Sequence, residues 1–157
     1  MKTQTLLPLL LLLALPVVAQ DQFTFRTNNG AITITGYYGP HGDVSIPAAI
    51  NGLPVNSIAD YTFQNLTTLT NVVIPDSVTS IGNWAFSSSG LSSVTIPNTV
   101  TNIGYDAFLA CTRLTSVTIG TNVTSIAYAA FYDCARLTSS ALTSPASGTM
   151  RSKPAPV

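Results

Sequence analysis

The chain has 157 residues, enough for one domain of ordinary size. Six Lys and Arg balance six Asp, Glu is absent, and only 8% of the residues are charged. That excludes a basic nucleic-acid surface, which needs clustered cations, and an acidic disordered chain, which needs runs of carboxylates.

The N-terminus reads as an export signal. Lys2 gives a short positive start, Leu6 to Val18 is nearly continuously apolar, and Val17 and Ala19 are small residues before a cut at Gln20. The apolar run is about thirteen residues, against roughly 20 for a spanning helix, and Pro8 and Pro16 weaken a helical reading further. Residues 1–19 are therefore predicted as a cleaved secretory signal, with an uncleaved N-terminal anchor as the alternative. Cleavage would leave no membrane span, and no Cys near the cut suggests a lipid anchor.

Residues 20–54 read as an N-terminal β cap and first strand. Phe23–Thr27 and Ala31–Thr35 alternate as strands, and Asn28-Asn29-Gly30 between them is a strong hairpin signal. A loop from Gly36 to Gly42, containing His41, leads into Asp43-Val44-Ser45-Ile46-Pro47, a first strand of the type that recurs below. About five extra residues, Asn51-Gly52 among them, separate Pro47 from Val55.

From residue 55 to 142 the chain repeats. Val55-Asn-Ser-Ile-Ala-Asp-Tyr-Thr-Phe63, Val78-Thr-Ser-Ile-Gly-Asn-Trp-Ala-Phe86, Val100-Thr-Asn-Ile-Gly-Tyr-Asp-Ala-Phe108 and Val123-Thr-Ser-Ile-Ala-Tyr-Ala-Ala-Phe131 align in steps of 23, 22 and 23. Ile58, Ile81, Ile103 and Ile126 keep the same steps. A second block follows each Phe, as Leu69 to Pro75, Leu91 to Pro97 and Leu114 to Gly120; the missing residue falls in Ser87-Ser-Ser-Gly90, a shortened turn. In Leu-x-x-Val-x-Ile the final alternation is that of a half-buried strand, ended by Pro75 and Pro97 because proline cannot donate the next ladder bond. Val-x-x-Ile reads as a second short extended piece, and Gly-x-x-Ala-Phe as about one helical turn with Ala and Phe inward. Each circuit of about 23 residues cannot bury its own apolar face and must stack on the next. Stacking predicts a column of Phe63, Phe86, Phe108 and Phe131, and others of Ile and Val.

Beyond Phe131 the pattern fades. Ser140 stands where Val is expected and Leu142 where Ile is expected; residues 143–157, rich in Ser, Pro, Ala and Gly, read as a disordered tail. No polar terminal cap is recognisable there.

The recurring Ile-Pro-x-x-Val-Thr-x-Ile-Gly-x-x-Ala-Phe-x-x-Cys-x-x-Leu-x-x-Val-x-Ile resembles the leucine-rich repeats of the BspA type, also described from a treponemal surface protein. The likeness covers about residues 43–142; Ala59 and Ala127 depart from it in place of Gly, and Gly120 in place of Pro. It implies a right-handed leucine-rich-repeat solenoid in bacterial surface or secreted proteins, associated with adhesion to host proteins, cells or matrix.

Catalytic chemistry is not suggested. His41 is the single histidine and reads as a surface loop residue without a positioned nucleophile. No zinc-ligand spacing and no phosphate loop occurs, so no cofactor is expected. Cys111 and Cys134, at one repeat position in adjacent circuits, read as buried thiols, or as a disulfide if export is oxidising. Arg113 and Arg136 share a position and read as a solvated edge, and the sequons at Asn65 and Asn122 are taken as accidental. By alternation, Asn71, Val73, Ser93, Thr95, Ser116 and Thr118 point outward as a flat, nearly uncharged ladder, although Thr suits exposed strands anyway. The expected function is an exported, non-enzymatic module binding a protein or a neutral polysaccharide at the cell surface through that ladder. A structural spacer without a specific ligand, or a carbohydrate-binding accessory, is the alternative.

Overall fold

Two Asn-Gly pairs fold the N-terminal region. In the computed structural model, which describes residues 21–40, 42–138 and the backbone of 142–143, Asn29 and Gly30 take φ of 49° and 75°. That is the mirror-image turn favoured between antiparallel strands, and it joins β1 (Phe23–Asn28) to β2 (Ala31–Tyr37). Asn51 and Gly52 (φ 51° and 78°) do the same between β4 (Ala49–Ile50) and the start of β5 (Leu53–Ile58). The extra residues before Val55 are thus a second hairpin. The expected signal segment, His41, Ser140 and the tail from residue 144 lie outside the described residues.

Each circuit then lays one short strand on each of two walls. One wall orders the strands β1-β2-β5-β7-β9-β11, with β7 (Ser80–Ile81), β9 (Asn102–Ile103) and β11 (Ser125–Ile126) in parallel register. The hairpin joins this wall because β2 pairs parallel with β5, Ile34 opposite Ile58. The other wall is split. β3 (Gly42–Ser45) pairs with β6 (Leu69–Val73), while β8 (Ser93–Ile96), β10 (Ser116–Ile119) and β12 (Leu142–Thr143) form a separate sheet. The split falls at the 22-residue step from Leu69 to Leu91. Parallel pairing in β12 also slips by two residues, so that Leu142 lies opposite Val117 and not Ile119, the position its spacing gave it.

Between the walls, identical side chains stack. Phe63, Phe86 and Phe108 have no exposed surface and Phe131 little. Their rings lie nearly parallel with centroids 4.9, 5.1 and 5.0 Å apart. Phe23 and Tyr37 from the hairpin pack over the Phe63 end of the column, at 6.5 and 5.7 Å. Ile58, Ile81 and Ile103 are fully buried, but Ile126 is only partly so, a departure from the expected uniform column. Full burial of such a side chain contributes about 1.5–3 kcal/mol.

The expected helical turn before each Phe is absent. Two residues before each column Phe the backbone is left-handed (Tyr61, Trp84, Asp106 and Ala129), and two residues after it again (Asn65, Ser88, Ala110 and Asp133). A helix needs consecutive right-handed residues and bonds from each N–H to the carbonyl four back. Here the N–H groups turn to the next circuit instead: Phe63 donates to Ala85 O (2.7 Å), Phe86 to Ala107 O (2.7 Å) and Phe108 to Ala130 O (2.8 Å). On either side, Tyr61 donates to Asn83 O and Asn65 to Ser87 O, and later circuits repeat the pattern. The corner is a ladder between circuits, not a helix.

Candidate binding site

The repeated polar residues divide into those that bind circuits together and those that face outward. Thr79, Thr101 and Thr124 each donate a hydroxyl to a carbonyl one circuit back, those of Asn56, Thr79 and Thr101, at 3.0, 3.3 and 3.1 Å. Cys111 and Cys134 are free, buried thiols that donate to Phe86 O and Phe108 O, each at 3.1 Å. Cys134 is held well above the ordinary thiol range by its hydrogen bonding with Cys111 and then by burial. Both thiols are buried, so neither has the exposure of a reactive thiol; Cys111, unlike Cys134, is shifted downward, first by its hydrogen bond with Cys134. Among the described residues, no group of three His, Cys, Asp or Glu side chains is placed to hold a metal.

On the split wall, Asn71, Val73, Ser93, Thr95, Ser116 and Thr118 are all exposed. Ser93 lies opposite Ser116 and Thr95 opposite Thr118, so four of the six form one hydroxyl-bearing patch. Asn71 and Val73 do not continue it; they pair instead with Asp43 and Ser45. A shallow groove of about 290 Å³ separates the two groups, with Val73 and Asp76 on one bank and Ser93, Thr95 and Pro97 on the other. The ladder expected to be continuous is therefore two patches on either side of a cleft.

The larger concavity is on the other wall and was not anticipated. About 490 Å³ in volume, it runs across β2, β5, β7 and β9. The hairpin contributes Arg26, Thr33 and Thr35, and the circuits contribute Ser57, Ser80 and Asn102, which lie in register. Ser57 Oγ and Ser80 Oγ share a hydrogen bond of 2.9 Å. Along one border, Asp60 accepts from the Asn83 backbone N–H (2.7 Å) and from Asn83 Nδ2 (3.2 Å), and Asn83 Oδ1 accepts from the Tyr105 N–H (2.8 Å). Gly82 and Gly104 let successive circuits close up beneath: a Cβ on Gly104 would sit 2.6 Å from the Gly82 carbonyl carbon.

Aromatic residues follow the groove residues along the chain, Tyr61 after Asp60, Trp84 after Asn83 and Tyr105 after Gly104. Tyr61 and Trp84 stack at 5.2 Å with planes 4° apart. Tyr105 and Tyr128, 55% and 77% exposed, occupy in the next two circuits the repeat position that Asp60 and Asn83 hold in the first two. The signal available in the sequence was bulky aromatics at two adjacent repeat positions that otherwise hold small or polar residues.

A family model for the BspA type leucine-rich repeat region, in six copies, matches residues 44–149. Among solved structures, a leucine-rich repeat protein of T. pallidum is 27% identical with a TM-score of 0.60, covering 75% of this chain and 67% of that one. A leucine-rich repeat protein from Bacteroides capillosus is 26% identical with a TM-score of 0.64, covering 80% of this chain and 95% of that one. Comparison with curated protein sequences gives no match. With stacked circuits, repeat register and the family match in agreement over most of its length, the chain belongs to the BspA-type leucine-rich-repeat family.

Proposed function

We propose that the chain is a non-catalytic binding module, exported to the cell surface or the medium, that contacts a protein or neutral polysaccharide partner through its outward strand faces. The observation that carries this reading is the paired, exposed and uncharged set Ser93–Ser116 and Thr95–Thr118, held rigid by parallel pairing. Such a surface suits a partner recognised by hydrogen bonds and shape, with little electrostatic steering. Export is supported by the charged start and apolar run of residues 1–19. Weak contacts repeated over several circuits add up through avidity.

The test is a binding screen of the purified chain against immobilised extracellular-matrix proteins and neutral glycans, followed by the double variant Thr95→Lys, Thr118→Lys. Two ammonium groups on the hydroxyl patch should weaken the bound partner by more than about 10-fold while leaving the thermal melt unchanged. Undiminished binding by that variant would remove this patch from the interface.

A further inference from the structure

We propose that the groove across β2, β5, β7 and β9, together with Trp84 and Tyr105, which directly follow its lining residues Asn83 and Gly104, is a binding site for a neutral polysaccharide chain. This rests on the binding-module reading and gives that module a specific site and ligand class.

Three observations converge on this ligand. First, the Tyr61–Trp84 stack stops where the next circuit places Asp106 in the same repeat position, and among the described residues the Trp84 ring stacks on Tyr61 alone. One indole face is thus free of an aromatic partner; the Trp84 backbone N–H donates to Tyr105 O, and the exposed Tyr105 has its own N–H tied to the groove residue Asn83. An aromatic ring with one apolar face and a polar rim beside it suits a ligand that is itself amphipathic. Sugar rings are: their C–H faces pack on aromatic rings while their hydroxyls point to the sides.

Second, the groove floor supplies partners for those hydroxyls. Ser57, Ser80 and Asn102 lie side by side across three circuits, and the Asn102 amide makes no side-chain hydrogen bond with any described residue. Few convergent polar groups in a concavity are what fix a ligand's orientation. Repetition along the axis fits a ligand that also repeats.

Third, the charge is balanced. Arg26 and Asp60 are the charged residues of the groove lining, and both Asp60 carboxylate oxygens already accept from Asn83. A single cation set against a single carboxylate presents no field for a polyanion or a polycation. The groove selects a neutral, hydroxyl-rich chain.

Trp84 is the one tryptophan in the protein, so its emission reports on the position next to the groove residue Asn83. The full chain would be titrated with laminarin, cellohexaose and galactomannan as neutral probes and with polygalacturonate as the anionic one. The expected result is a saturable change in emission with at least one neutral probe and none with polygalacturonate. By calorimetry, Trp84→Ala and Tyr105→Ala should each weaken that neutral probe about 10-fold, the loss of one stacked platform. The melting curve of Tyr105→Ala should be unchanged and that of Trp84→Ala should fall only by the loss of its stack on Tyr61, and Thr95→Lys, Thr118→Lys should bind the sugar normally. Absence of binding by all three neutral probes, tighter binding of polygalacturonate, or full affinity in Trp84→Ala would overturn the proposal. If matrix proteins bind through Thr95 and Thr118 while no sugar does, this inference alone falls; if neither class binds, the binding-module reading falls with it.

Discussion

Removing one ring from the middle of the aromatic column tests the stacking directly. Phe108 is fully buried and is stacked on both faces, by Phe86 at 5.1 Å and Phe131 at 5.0 Å. An aromatic side chain buries about 200 Å², which at about 25 cal/mol per Å² is about 5 kcal/mol. Alanine retains its Cβ, which lowers the loss, and the two walls are braced by inter-circuit hydrogen bonds that resist collapse into the cavity. About 4 kcal/mol results, inside the roughly 3–5 kcal/mol range of such truncations. For a domain of this size that corresponds to a fall in Tm of about 15 °C. Circular dichroism melts of Phe108→Ala should be read beside Tyr128→Ala, whose ring is exposed and whose removal should cost no more than about 0.5 kcal/mol. A Phe108→Ala melt indistinguishable from that of Tyr128→Ala would refute the column.

Gly104 is needed for space and not for its backbone angle, since an added Cβ would meet Gly82 C at 2.6 Å and Asn83 N at 2.7 Å. Gly104→Ala should therefore force two circuits apart and cost about 1–3 kcal/mol; an unchanged denaturant midpoint would show that the circuits are not in such close contact. Both thiols are buried, and Cys134 is further disfavoured as a thiolate. Alkylation of the folded chain at pH 8 should thus run at least about 100-fold slower than in denaturant, because the reagent must wait for local opening. Rapid labelling of Cys134 under native conditions would contradict its placement.

The period of the fold was legible because a stacked circuit demands the same residue class at the same inward position each time round. Phe and Ile columns, the Asn-Gly turn of the hairpin and the outward set of strand residues all follow from spacing and alternation alone. Alternation, however, says which way a side chain faces and not which strand lies alongside, so the only mark the break between β6 and β8 left in the pattern was the shortened 22-residue step from Leu69 to Leu91. The corner before each Phe was misread for a related reason. In five residues, an inward Ala-Phe pair after Gly looks the same in a helical turn as in a backbone alternating between right- and left-handed residues. What decides between them is the carbonyl of the next circuit, which lies 21 or 22 residues away in sequence. The groove was harder still to see. Its lining joins Arg26 and Thr33 of the hairpin to Ser57, Ser80 and Asn102 of three circuits, and the aromatics that follow its lining residues in the chain break the repeat and so look like noise.

At the corner, the backbone links made by Tyr61, Phe63 and Asn65 and by their counterparts all run the same way, from a donor on one circuit to an acceptor on the following one, with three such links in each of the intervals from Phe63 to Phe131. Pulled lengthwise, the three must stretch together, in parallel with the strand pairs of the two walls. Peeled sideways from one edge, they would give way singly. The molecule should accordingly be stiff under axial tension and weak against unzipping, a mechanical anisotropy set by the direction in which its hydrogen bonds are loaded.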